Sequence, residues 1–402
     1  MQASPAPRRV LPTLVIAQFL GTSPWFAVNA VMPDLQSDFG WPAASIGTLT
    51  SAVQFGFIAG ALVFALLAVA DRFPPQRVFL LCALGSAACT VAASASAASF
   101  GALVFWRGLT GFLLAGIYPV GMKIAALWFP RGLGAAMGLL IGGLVLGSAA
   151  PHALRALSAG WPWGTVFDGV ALASAVAGGL VVWLLPQPAI AVARAPGLNL
   201  GALASLVTDA KVRASVFGYF GHMWELYTMW VLVPTVLTTR MSGAALSWAA
   251  FGVLGSGALG CAVGGWLALR VGSARIAGAQ LATSGLCCAA APWMMQASSP
   301  LFFAWLLLWG ITVAGDSPQF STLTAMNAPR SGVGSVLTLT NSIGFGISIV
   351  SILLFTSLAQ TVPLASLLPW LGLGPLLGLL ALSPLLRAAP APQSPVRPAD
   401  GS

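Results

Sequence analysis

Residues 70–77 read Ala70-Asp71-Arg72-Phe73-Pro74-Pro75-Gln76-Arg77, and residues 268–275 read Ala268-Leu269-Arg270-Val271-Gly272-Ser273-Ala274-Arg275. The two stretches lie 198 residues apart, and each is a short basic break between long apolar runs. Other pairs fall in the same order at nearly the same spacing. Pro119 through Pro130-Arg131 matches Pro318 through Pro329-Arg330 at 199, with Gly147 landing on Gly346; Gly21 matches Gly221 at 200, and Pro33 matches Pro234 at 201. Self-similarity at one long offset marks a duplicated architecture.

The composition sets the solvent of the repeated unit. Of 402 residues, 58% are hydrophobic and only 6% are charged, whereas an ordinary soluble domain carries about a quarter charged residues. The surface must face lipid. Each bilayer crossing needs about 20 mostly apolar residues, and charges, prolines and Gly/Ser clusters punctuate the chain into twelve such runs. The first half gives 12–33, 43–69, 77–98, 101–127, 134–157 and 164–186; the second gives 214–238, 245–268, 274–295, 300–325, 333–358 and 364–386. The expected fold class is an all-α membrane protein with twelve transmembrane helices in two pseudo-symmetric six-helix bundles. Its expected parts are an N-terminal half (1–186), a cytoplasmic linker (187–213), a C-terminal half (214–386) and a disordered cytoplasmic tail (387–402). Arg8 and Arg9 ahead of an apolar run imitate an export signal, but no convincing cleavage site follows, so this run reads as the first helix.

The net charge of +9 comes from 17 Lys plus Arg against 8 Asp plus Glu. In a soluble chain it would suggest nucleic acid; here its placement matters more, and no nucleic-acid partner is expected. With a cytoplasmic N-terminus, one side collects Arg8, Arg9, Arg72, Arg77, Lys123, Arg131, Arg194, Lys211, Arg213, Arg270, Arg275, Arg330, Arg387 and Arg397, and the other only Arg107, Arg155 and Arg240. The asymmetry obeys the positive-inside rule and puts both termini in the cytoplasm. An even number of crossings is then required. The expected setting is a multi-pass protein of the cell membrane, of the bacterial inner-membrane kind, working as a monomer in the bilayer.

The five cysteines, Cys82, Cys89, Cys261, Cys287 and Cys288, lie in apolar runs with no CxxC pair and no neighbouring ligands, so they read as packing residues rather than a metal site. Two histidines 70 residues apart make no hydrolytic centre. A GxxxxGK[ST] nucleotide loop is missing, as are filter repeats and rings of like charge. No cofactor is expected, and an enzyme or channel ranks below a carrier driven by an ion or solute gradient.

The loop at 70–77 resembles the Gly-x-x-x-Asp-Arg-x-Gly-Arg-Arg-Arg loop between helices two and three of the major facilitator superfamily. Asp71, Arg72 and Arg77 match, while Leu67 and Pro74 replace glycines; the copy in the second half keeps Gly265, Arg270, Gly272 and Arg275 but has Leu269 for Asp71. The resemblance covers essentially the whole chain and implies a secondary transporter working by alternating access. A carboxylate here can accept hydrogen bonds from the free N–H groups at a helix start. That would make Asp71, Arg72, Arg77, Arg131, Arg270, Arg275 and Arg330 a latch on the cytoplasmic gate; the alternative is that they are topology signals at a solvated edge. Arg107 with Gly111 and Gly116 resembles the family's fourth helix, where the Arg is linked to proton coupling. Gly138, Gly142, Gly143, Gly147 and Pro151 loosely resemble the glycine-and-proline pattern of exporters. The segments 221–227 and 315–321 look like a branch labelled nitrate/nitrite-like, but the long glycine-rich signature of nitrate carriers is missing, so nitrate is not carried over as substrate.

Charges at the bilayer centre cost at least about 2.5–3.5 kcal/mol and mark functional sites by default. Glu225 falls mid-depth in the seventh helix, His222 one turn away on the same face, and Asp316 in the tenth. These three could exchange protons during transport, which makes protons the expected coupling ion. Alternatively Glu225 and His222 satisfy one another, and Asp316 caps a break at Pro318. The resemblance places helices one, four, seven and ten around a central cavity, so Trp25, Asn29, Tyr118, Trp224 and Tyr227 are candidates to line a pocket for a small-molecule or ion substrate; packing or an interfacial belt is the alternative for each aromatic. Lys123 either meets an anionic substrate or snorkels to the surface. Arg155, His152 and Asp168 are expected on one outer rim, as a gate brace or an idle salt bridge.

Overall fold

The structure, a computed structural model, describes residues 7–129, 133–186, 200–329 and 332–387. Twelve long helical segments run through the described residues. They are α1 (Val10–Phe39), α2 (Ser45–Leu66), α3 (Pro75–Ala95), α4 (Phe100–Trp128), α5 (Leu133–Leu157), α6 (Gly164–Leu184), α7 (Ala210–Leu237), α8 (Gly243–Val271), α9 (Ser273–Met294), α10 (Ser299–Asn327), α11 (Val333–Leu358) and α12 (Leu364–Arg387). Ten are long and apolar enough to cross a membrane by length and composition. The other two are the more polar α7, which carries Lys211, Arg213 and Glu225, and α9, which carries Arg275 and Gln280. In lipid a helix satisfies its own backbone hydrogen bonds, which is why apolar runs of this length adopt no other form.

Odd-numbered helices start, and even-numbered helices end, at the face that carries Arg72, Arg77, Arg270 and Arg275, here called the basic end. Exposed tryptophans ring both ends: Trp183 and Trp266 near the basic end, and Trp161, Trp293 and Trp370 near the far end. Between them, Phe55, Leu81, Phe105, Leu172 and Leu286 face outward, an apolar belt that only lipid covers well. The cysteines Cys82, Cys89, Cys261, Cys287 and Cys288 are all free and buried.

Helix α7 begins at Ala210, four residues before the expected start, because Asp209 caps it: its Oδ1 accepts from the amides of Lys211 (2.8 Å) and Val212 (3.1 Å). The expected linker up to 213 thus ends inside a helix. Residues 187–199 of that linker and the expected tail after Arg387 lie outside the described residues. Arg107, counted on the far side in the charge tally, lies inside α4, within the expected fourth span, with its side chain fully buried, because its guanidinium finds backbone partners there.

The duplication is visible in the breaks. Helix α4 is interrupted between Leu114 and Tyr118, just before Pro119, and α10 at Asp316, just before Pro318. A proline removes a backbone donor and clashes with the preceding turn. In α1 the residues Ser23–Phe26, with Pro24, tighten into a 3₁₀ turn. Close helix crossings repeat too. A Cβ at Gly56 of α2 would fall on the backbone of Gly108 in α4, and one at Gly111 on that of Val53; likewise one at Gly260 of α8 would fall on Ile311 of α10, and one at Gly310 on Val253. Small residues let backbones touch where lipid supplies no hydrophobic drive.

The two bundles meet along α5 with α8 and along α2 with α11. At the far end this seam is shut: Thr356 sits where a Cβ on Gly47 would go, and Ser348 donates a short hydrogen bond to Gln54 across the halves. Toward the basic end the helices part.

Candidate functional site

Where the helices part, a cavity of about 770 Å³ lies between α2, α4 and α5 of one half and α10 and α11 of the other. Its walls are mostly apolar, with Phe57, Phe64, Val120, Met122, Met137 and Met326 prominent, and its polar groups include Ser321, Thr322, Thr338, Asn341 and Lys123. At its inner end a crypt of about 30 Å³ is lined by Tyr118, Tyr219, Tyr227, Trp230 and Phe345 among others. Ile141, Ser321 and Asn341 line both spaces, so the crypt opens off the larger vestibule.

The crypt is roofed by aromatic rings from both halves. Trp25 packs 5.0 Å from Phe57 and 5.7 Å from Phe345; Phe57 lies 4.7 Å from Phe345 and Tyr227 5.3 Å from it. Tyr227 also meets Trp230 edge-on at 5.6 Å. Offset and edge-to-face pairs of this kind add about 0.5–1.5 kcal/mol each beyond area burial. The rings close the passage between the crypt and the far end, so the cavity is accessible from the basic end.

Behind the crypt wall lie His222 and Asp316. His222 Nδ1 and Asp316 Oδ1 are 2.8 Å apart, both side chains almost wholly buried. Close as they are, neither nitrogen of His222 and neither oxygen of Asp316 has a well-aligned hydrogen bond. Asp316 sits at the break between the two helical segments of α10, and the next residue, Ser317, lines the crypt. On α7, Tyr219 packs its ring 5.6 Å from His222 and also lines the crypt.

Glu225 is elsewhere in the same bundle. Its carboxylate accepts from Trp309 Nε1 (2.6 Å), Ser284 Oγ (2.9 Å) and Cys288 Sγ (3.1 Å), which ties α7 to α9 and α10. His222 and Glu225 therefore do not satisfy one another, because each has its own partners on α9 or α10. The thiol of Cys288, read as packing alone, is one of those donors, and that of Cys261 donates to the Ala314 carbonyl at 3.3 Å.

The other expected residues divide. Trp25, Tyr118 and Tyr227 reach the crypt or its roof. Trp224 turns instead to Phe355 of α11 and Gly374 of α12. Asn29 is spent on Thr50, at 3.0 Å, which locks α1 to α2. Arg107 donates to the carbonyls of Pro24 (2.8 Å) and Trp25 (2.5 Å), at the 3₁₀ turn of α1, and no described carboxylate is within ion-pair distance. Lys123 lines the vestibule and donates to the Ala70 carbonyl at 2.7 Å. Arg155 pairs with Asp34 at 2.7 Å rather than with His152 or Asp168, since α1 and not α6 brings the nearest carboxylate. Arg72, Arg77, Arg270 and Arg275 are exposed at the basic end, with Arg270 stacked on Trp266; Arg131, Arg330 and the side chain of Asp71 lie outside the described residues. Tyr219 and Asn341 were missed. The signal was there for one of them: the chain has only 3 tyrosines, and Tyr219 lies two turns before Tyr227 on one face of α7.

A polytopic bundle pair, shut at one end and holding a ring-roofed cavity open at the other, has the architecture of a membrane carrier. Residues 14–352 match the Major Facilitator Superfamily, and the chain belongs to that family. It is similar to a "Chloramphenicol resistance protein" of Streptomyces lividans, 31% identical over 242 residues; the match spans 60% of this chain and 60% of that protein's length. Its fold is like that of the human organic anion transporter MFSD10 (TETRAN), with a TM-score of 0.73 at 17% identity, over 94% of this chain and all of that one. The family and the fold are those of membrane transporters.

Proposed function

We propose that this transporter is a proton-coupled secondary carrier that exports a small organic molecule by alternating access. The observation that carries it is the buried His222–Asp316 pair placed directly behind the crypt, one residue from Ser317 and in ring contact with Tyr219. A proton gained or lost there changes the charge of the wall against which a solute sits, so occupancy and protonation become linked. Export accords with the resistance relative and with a vestibule that opens at the basic end. With Arg107 inside a helix, the far side retains only Arg155 and Arg240 of the basic residues assigned to it. That supports a cytoplasmic basic end, cytoplasmic termini and a bacterial inner-membrane setting. In this reading the halves 1–186 and 214–386, joined by 187–213, rock about the α2–α11 and α5–α8 seams within a single chain. Asp71, with Arg72, Arg77, Arg131, Arg270, Arg275 and Arg330, would latch the cytoplasmic gate when it closes. An uncoupled facilitative carrier is the second reading, favoured by the three donors that fully occupy Glu225.

The test is solute-driven proton movement in proteoliposomes containing the purified protein, for the native chain, Asp316→Asn and Glu225→Gln. Coupling through the pair predicts that Asp316→Asn abolishes proton flux while solute exchange down its gradient continues. Proton flux undiminished in Asp316→Asn sinks the coupling assignment.

A further inference from the structure

Every tyrosine of the chain meets in one place. The protein has 3, and Tyr118, Tyr219 and Tyr227 all line the same crypt, one from α4 and two from α7. Tyr219 and Tyr227 are only 6% and 5% exposed, yet no tyrosine hydroxyl makes a hydrogen bond within the described residues. The hydroxyls are not sealed in the protein but open on the crypt, where they are free to donate to whatever occupies it. Asn341, half-buried on the same lining, likewise makes no side-chain hydrogen bond among the described residues. None of the residues that line the crypt carries a charge.

We infer that the crypt is the recognition subsite for an uncharged aromatic solute, whose hydrogen-bond acceptor is seated among the hydroxyls of Tyr118, Tyr219 and Tyr227. The inference rests on the reading of the chain as a carrier of small organic molecules. Its parts follow from the lining. Phenol hydroxyls and an amide donate hydrogen bonds to an acceptor such as a nitro or carbonyl oxygen. The crypt's volume of about 30 Å³ admits a group of that size, and the body of the solute lies in the 770 Å³ vestibule, where Phe57 and the methionines contact it. The rings of Trp230 and Phe345 favour an aromatic group beside the acceptor. A charged head group would lose its hydration with no charged side chain on the lining to contact it, so the crypt disfavours ions. A pocket with unpaired donors also rejects analogues that lack the acceptor, because those donors then stay unpaired.

The experiment is equilibrium binding by calorimetry to the purified protein in lipid nanodiscs, with matched probes: chloramphenicol against its anionic succinate ester, and 4-nitrobenzyl alcohol against 4-nitrobenzoate. The neutral member of each pair should bind at least about tenfold tighter. Tyr219→Phe and Tyr227→Phe, which remove only a hydroxyl, should each weaken the neutral probes by about three- to tenfold, the range of one lost hydrogen bond. Equal or tighter binding of the charged members, no binding of either neutral probe, or unchanged affinity in both Phe variants would overturn the inference. A thermal melt matched to the native protein shows that the variants are folded. Because the readout is binding, an intact crypt with no driven flux would count against the export reading alone, and driven flux with indifferent tyrosines against the crypt alone.

Discussion

Arg107 shows how one side chain can hold a helix in an irregular shape. The 3₁₀ turn at Ser23–Phe26 disrupts the regular hydrogen-bond ladder of α1 inside the bundle, and the guanidinium from α4 donates to the carbonyls of Pro24 and Trp25. A buried acceptor stripped of its donor costs about 1–3 kcal/mol. Arg107→Ala should therefore lower the melting temperature of the purified protein more than Arg107→Lys, which can restore one of the two bonds; equal melts for the two variants would show that the contacts are incidental. At this scale the sequence was half legible. That Glu225, His222, Asp316 and Arg107 are costly in a membrane follows from residue type and depth alone. Who satisfies them does not, since Trp309, Ser284 and Cys288 stand 59 to 84 residues from Glu225 and only the fold brings them to it.

At the level of helices, glycines set where the bundle can close up. Gly56 of α2 and Gly260 of α8 occupy matching crossings in the two halves, and each would drive a Cβ into backbone rather than into a movable side chain. Overpacking of that kind costs about 1–3 kcal/mol. Gly56→Ala and Gly260→Ala should each cut the yield of monodisperse protein and lower its melting temperature, whereas Gly252→Ala, with nothing within 4 Å, should match the native chain. A size-exclusion trace and a melt for each variant decide this. The helices and the duplication were readable because apolar runs, prolines and basic turns are local signals. The early start of α7 turned on one Asp209 cap, and the absence of Trp224 from the cavity turned on the rotation of α7 against α11 and α12, which periodicity does not reveal in a helix whose polar residues mark no single face.

For the molecule as a whole, the structure has the far end shut and the basic end open, one of the two arrangements that the proposed alternating access requires. Gly47 fits against Thr356 only while the far end stays closed. Gly47→Val should penalise that state by about 1–3 kcal/mol and raise the share of far-open molecules roughly five- to hundredfold. The change would be read as a longer distance between spin labels at Ala43→Cys and Ala244→Cys, both exposed near the far end on opposite halves. A distance distribution the same as in the unsubstituted background would show that the seam tolerates the added bulk.

The burial of Cys82, Cys89, Cys261, Cys287 and Cys288 has a practical side. The unmodified chain offers maleimides and nitroxides no surface thiol among the described residues, so a single introduced cysteine reports without removal of the native ones. The thiol of Cys288, which bonds to Glu225, can then stay in place while the gates are watched. Reagent added from one side of a sealed vesicle would mark which mouth is open at that moment, and the protein would serve as its own labelling blank.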